Sequence, residues 1–104
     1  METSVLIIAG HFLIDPARRE AALAAAREMM AETHKEKGCL AYTFSADLAD
    51  AARFHLFERW ESQGALEAHF ATPHMARFQA AMGGLGVRDL EVKKYTISAS
   101  GPVR

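Results

Sequence analysis

Glu58 and Trp60 stand two residues apart in the segment Phe57-Glu58-Arg59-Trp60. Two residues is the repeat of a β-strand, so a carboxylate and an indole share one face of it. A carboxylate among apolar neighbours is costly unless it is paired or hydrogen-bonded. It can serve as a general base whose proton affinity is raised by burial, or as a structural group that pairs with an arginine or holds the Trp60 region. We read Glu58 as structural first and as a base second. Trp60 offers an apolar wall and one N–H donor for a ligand oxygen; the plain alternative is a core tryptophan closing the end of a sheet. Three histidines join Glu58 as candidate catalytic groups, because imidazole changes charge near neutral pH. His11 lies between Gly10 and Phe12, and its plain reading is a satisfied core histidine. His69 and His74 flank an expected helix break, where they either face a pocket or bond backbone groups freed by the break. Tyr42, Phe54, Phe70, Phe78 and Met82, with Met75, are candidate walls for an apolar ligand, although such stripes also build ordinary cores.

Other polar residues promise less. His34 sits near a helix end, where a positive charge is favourable, and His55 falls on the strand face opposite Trp60. Cys39 has no neighbouring histidine pattern and reads as a small buried hydrophobe. No Gly-rich phosphate loop, G-x-S-x-G or H-E-x-x-H motif occurs. His69 and His74 are five residues apart across a break, which is not the i, i+4 pair of a helical metal site, so no bound metal is expected. The 104 residues predict one domain spanning 1–104, small enough that association would help to bury its surface. Twelve basic and thirteen acidic side chains leave a formal charge of -1, and the basic residues are scattered. Neither nucleic acid nor an anionic membrane is an expected partner. One cysteine permits no intrachain disulfide, which fits a cytoplasmic location. The Met1–Ser4 start has no basic region, which argues against a signal peptide, and no run approaches the roughly 20 apolar residues of a membrane span.

The elements that must position these groups are legible. Val5–Ile14 is an almost continuous apolar run and predicts a strand buried on both faces. Asp15 and Pro16 suit the cap and first position of a helix. That helix is expected to run to about Lys37, with Leu23, Ala26 and Met30 on one side and Gly38 as its stop. Cys39–Ala46 predicts the second strand. Arg53–Trp60 predicts the third, with Phe54, Leu56, Glu58 and Trp60 on one face and Arg53, His55, Phe57 and Arg59 on the other. Ser62 caps a short helix ending at Phe70, and Thr72-Pro73 opens another that Gly83-Gly84 ends. Val87–Ala99 is the last strand. The order β-α-β-β-α-β, with the second helix broken, is a ferredoxin-like α+β arrangement with helices on one sheet face. Strands one and three carry large apolar residues on both faces, so the uncovered face needs a partner. A homodimer through the sheet faces is the expected solution.

Lys37-Gly38-Cys39-Leu40-Ala41-Tyr42 resembles the opening of the second strand in the antibiotic biosynthesis monooxygenase family. The stretches Phe57–Ser62, Leu66–Phe70 and Thr72-Pro73-His74-Met75 resemble its most recognisable segment, with the quinol monooxygenase branch nearest in character. The resemblance implies a dimeric α+β barrel with a pocket between sheet and helices, and the pocket tryptophan maps onto Trp60. It further implies oxidation of a small aromatic or quinol-type substrate by O2, with no metal, flavin or other cofactor. Such chemistry needs a base to make an electron-rich phenolate, and apolar walls to keep the site dry. Two alternatives stay open. A haem-binding or haem-degrading relative would need an axial ligand near Gln79, a poor ligand. A small-metabolite isomerase or non-catalytic binding protein would use the same groups without oxygen. Leu56 and Leu66 occupy positions that relatives fill with polar groups, which weakens the transfer of a specific mechanism and leaves the fold expectation untouched.

Overall fold

A computed structural model describes residues 4–104; the Met1–Thr3 part of the start that argued against a signal peptide lies outside the described residues. Four strands form one sheet in the order β2-β3-β1-β4, where β1 is Leu6–Leu13, β2 Cys39–Ala46, β3 Arg53–Trp60 and β4 Arg88–Thr96. All neighbouring pairs are antiparallel. The helices are α1 (Arg19–Thr33), α2 (Gln63–Phe70) and α3 (Pro73–Met82), and a 3-10 turn at Pro16–Arg18 precedes α1. The expected ferredoxin-like α+β fold is therefore present, and no helix among the described residues is long and apolar enough to cross a membrane.

Local chemistry sets the element ends. The Asp15 carboxylate accepts from the Ala17 N–H at 3.0 Å, Ser62 Oγ from the Ala65 N–H at 3.1 Å, and Thr72 Oγ1 from the Met75 N–H at 3.2 Å. Each cap satisfies an amide that has no partner within its own helix. The first helix ends at Thr33 rather than near Lys37. The chain turns there because His34 Nε2 donates to the Tyr42 carbonyl at 2.7 Å, and Gly38 adopts a φ of +87°. A side chain at Gly38 would be strained, and its Cβ would come within 2.6 Å of the Ala65 Cβ. The Gly38 carbonyl also accepts from the Glu61 N–H at 2.9 Å, which pins the α1–β2 loop to the junction of β3 and α2.

The helices cover one sheet face. Leu6, Ile8 and Phe12 of β1, Phe54 and Trp60 of β3, and Tyr42 and Phe44 of β2 pack there against Ala22, Ala26, Met29 and Leu66. Gly10 lies on the same face, where a Cβ would collide with the β4 backbone at 1.9 Å from the Glu91 carbonyl oxygen. The other face carries Ile7 and Ala9 beside Tyr95 and Phe57, their register partners on β4 and β3. Tyr95 and Phe57 are 49% and 40% exposed in the single chain, large for aromatic groups on a sheet.

Candidate active site

The groups that converge come from two strands, two helices and a loop. Strand β3 ends with Glu58 and Trp60 pointing under the helices, and both are buried. Trp60 Nε1 donates to Glu58 Oε1 at 2.8 Å. Burial pushes the Glu58 carboxyl up to about 7; the Trp60 N–H bond opposes this and the charge of Glu36 adds to it. Glu58 thus does hold the tryptophan, and it is also a carboxyl that keeps its proton into the neutral range. Tyr42 pairs with Glu58 across β2 and β3 and is 2% exposed. Burial, followed by the charges of Glu58 and Glu36, raises its hydroxyl above the ordinary range, so it stays a neutral donor.

His69 lies in the last turn of α2 and is fully buried, its ring 4.7 Å from Trp60 and 5.5 Å from Tyr42 between centroids. His74 lies in the first turn of α3. Thr72 joins the two helices: its hydroxyl donates to the His69 carbonyl at 2.8 Å while accepting from the Met75 N–H. Sequence reasoning missed the third member. Glu36, in the loop after α1, places Oε2 2.7 Å from His69 Nδ1 and 2.6 Å from His74 Nε2. A carboxylate only accepts, so both ring nitrogens are donors to one oxygen. With Nδ1 carrying the hydrogen, neutral His69 presents a bare lone pair at Nε2. That atom is buried and without a hydrogen-bond partner, a condition shared among the described residues only with Thr33 Oγ1. A buried acceptor with no donor is costly in a finished core and is useful where a substrate proton will arrive.

The remaining candidates fall elsewhere. His11 is on the uncovered sheet face, opposite His55, and takes no part in this cluster. Its Nδ1 accepts from Arg53 Nη1 at 2.9 Å and its Nε2 lies 3.7 Å from Glu91, so its lone pair is already engaged. Phe70 is 53% exposed on the outer side of α2, not a wall. Phe54, Phe78 and Met82 line a void of about 10 Å³ together with Phe12, Phe44 and Leu85, room for about one water. A larger depression of about 640 Å³ opens beside Val5, Ile7 and Arg59 and the tail Ile97–Ser100, and no candidate residue lines it. Cys39 is partly exposed rather than buried. His55 Nε2 donates to Asp47 Oδ1 at 2.7 Å. The signal that could have found Glu36 is indirect: two histidines at a helix break, and a glutamate two residues before the Gly38 stop.

Residues 5–81 match the family described as antibiotic biosynthesis monooxygenase. The chain is 33% identical over 90 residues to the "Putative monooxygenase Rv0793" of Mycobacterium tuberculosis, covering 86% of this chain and 88% of that protein. It is 34% identical over 74 residues to the "Probable quinol monooxygenase YgiN" of Escherichia coli K12, covering 64% of this chain and 71% of that one. The solved structure of Rv0793 superposes with a TM-score of 0.82 at 29% identity, over 97% of this chain and all of the other. A crystal structure from Deinococcus radiodurans gives 0.87 at 25% identity, over 95% and 98%. The family match and these relatives support a monooxygenase-like function. The fold, the motif stretches and the relatives agree: this chain belongs to the antibiotic biosynthesis monooxygenase family.

Proposed function

We propose that the chain is a monooxygenase that oxidises a small aromatic quinol with O2, with His69 Nε2 as the base that takes the phenolic proton. The observation that carries this reading is the buried, unpartnered Nε2 of His69, whose tautomer is set by Glu36. Glu36 holds the imidazole orientation and balances the positive charge that forms when Nε2 is protonated. His74 gives Glu36 a second donor and keeps its oxygen in place. Glu58, protonated near neutral pH, and the Tyr42 hydroxyl are donors suited to substrate oxygens.

The chemistry needs no cofactor because the substrate is the reductant. The phenolate gives one electron to O2, and the resulting semiquinone and superoxide combine at a ring carbon as a hydroperoxide. Its O–O bond breaks as water leaves and the ring carbon becomes a carbonyl. The sum is quinol plus O2 to hydroxyquinone plus water. His69 Nε2 is buried beneath the helices, with no room beside it for a quinol ring in the closed fold. Binding therefore requires α2 and α3, which meet at the Ala71–Thr72 break, to part from the sheet.

Two further parts belong to the same proposal. The uncovered face with Ile7, Ala9, Phe57 and Tyr95 seats a second copy in a face-to-face dimer. Phe57→Lys should turn that dimer into monomer by sedimentation velocity; a wild-type monomer at micromolar concentration would refute it. The single thiol of Cys39 suits a reducing compartment such as the cytoplasm. The activity test is oxygen consumption with a panel of reduced naphthoquinones and benzoquinones, run aerobically and anaerobically. Protein-dependent uptake with hydroxyquinone formation is expected. Turnover that persists without oxygen would favour an isomerase, and no uptake across the panel would remove the oxygenase reading.

A further inference from the structure

The Glu36–His69–His74 cluster has a second capacity. Its three donor atoms, one carboxylate oxygen and two imidazole nitrogens, all lie within 4.8 Å of one another. They come from a loop and two helices, so the fold itself gathers them. His69 and His74 are not a pair on one helix, so i, i+4 spacing does not govern whether they meet. The break at Ala71–Thr72 folds the two histidines toward each other, with ring centroids 6.1 Å apart, and the Gly38 turn brings Glu36 to both.

We propose that this cluster is a binding site for a divalent transition-metal ion of the zinc class, and that occupancy switches the site off. Two imidazoles and one carboxylate form an established zinc ligand set, with one position left for water. Imidazole nitrogens suit Zn2+, Co2+ or Ni2+ and not Mg2+ or Ca2+, which prefer all-oxygen shells. The side chains of His69, His74 and Glu36 are 0%, 11% and 12% exposed, so the ion would be shielded from bulk water with an approach at the His74 and Glu36 side.

Ligand atoms about 2.1 Å from a tetrahedral ion stand about 3.4 Å apart. The Glu36 oxygen, now 2.7 and 2.6 Å from the two rings, must therefore withdraw by about 0.7–0.8 Å, and the two imidazole nitrogens, up to 4.8 Å apart, must close by as much as about 1.4 Å. Glu36 sits in a turn and has three rotatable side-chain bonds, and each histidine ring can turn about its two. Binding also moves protons within the rings. The hydrogen on His69 Nδ1 must shift to Nε2, and that on His74 Nε2 to Nδ1, with no net proton released from either neutral imidazole. His69 Nε2 then becomes a donor and can no longer accept a phenolic proton. The inhibitory consequence rests on the proposed role of His69 as base; the binding itself does not.

The test is Zn2+ titration of the full, chelator-stripped protein by calorimetry, with the thermal midpoint and the imidazole 15N shifts followed in parallel. One ion per chain is expected, with a midpoint rise of about 10 °C at a hundredfold excess over Kd. Mg2+ should leave the midpoint unchanged. Glu36→Gln and His74→Ala should each weaken binding at least tenfold, and the 15N spectrum should pass from the Nδ1–H to the Nε2–H tautomer of His69. Glu36→Gln retains hydrogen-bonding capacity, so its effect separates loss of a ligand from loss of fold. No saturable binding, or binding that either variant leaves unchanged, would overturn the site. Quinol oxidation should fall as Zn2+ saturates; a metal-free protein with no quinol oxidation at all would remove the base reading while the titration still decides the metal site.

Discussion

Replacing Glu58 by glutamine should make the protein more stable at pH 8 and leave it nearly unchanged at pH 4.5. Glu58 is 6% exposed, and burial raises its carboxyl from the ordinary 4.5 to about 7. The folded chain therefore holds this proton more tightly than the unfolded chain does. The stability linked to it is fully present below about pH 4.5, is lost as pH rises to about 7, and is gone above that. The gap corresponds to about 3 kcal/mol at pH 8. Glutamine matches the protonated acid in shape, retains an oxygen to accept from Trp60 Nε1, and cannot ionise. Urea unfolding of both proteins across pH 4.5–8, at one fixed protein concentration because association shifts midpoints, isolates the contribution of this group. Glu58→Gln should gain up to about 3 kcal/mol over wild type at pH 8, and the advantage should vanish near pH 4.5. A difference between the two proteins that stays constant across this range would show that Glu58 ionises normally in the fold.

Three other perturbations probe the supports of the site. Trp60→Phe deletes the one bond that opposes the rise at Glu58, so its carboxyl should titrate above 7 by carbon NMR, with a stability loss of about 1–3 kcal/mol. Gly38→Ala forces a left-handed backbone at a cost of about 1–2 kcal/mol and pushes against Ala65. It should also displace Glu36, seen as loss of the low-field His69 Nδ1 proton resonance. Thr72→Val removes the hydroxyl that joins His69 to α3 and should cost about 0.5–2 kcal/mol in chemical denaturation.

Much of the scaffold was readable because single residues carry it. The alternation Phe54, Leu56, Glu58, Trp60 identified the covered face of β3, and the pairs Asp15-Pro16 and Thr72-Pro73 marked two helical starts. Ends without such markers were misplaced. The stretch His34–Lys37 is polar and helix-compatible, and only the bond from His34 to the Tyr42 carbonyl, a tertiary contact, shows why α1 stops at Thr33. Phe70 lies on a helix of two turns, too short for periodicity to say which side faces the core. His11 and His69 are equally plausible bases by residue type. What separates them is that Arg53 occupies the lone pair of one and nothing occupies that of the other. Glu36 stood hidden between Lys35 and Lys37, where a carboxylate reads as part of a solvated charge run. Its role exists only after the Gly38 turn closes the loop onto α2.

The proposed oxygenase chemistry stands or falls on His69 Nε2 as the base. The most direct measurement is the oxygen-uptake rate with a reduced naphthoquinone for wild type and His69→Gln, each verified as folded by its thermal midpoint. Glutamine retains polarity at a fully buried position but cannot take the proton. The expected loss is about 10²–10⁴-fold, the usual contribution of a positioned general base. Equal rates in the two folded proteins would contradict it.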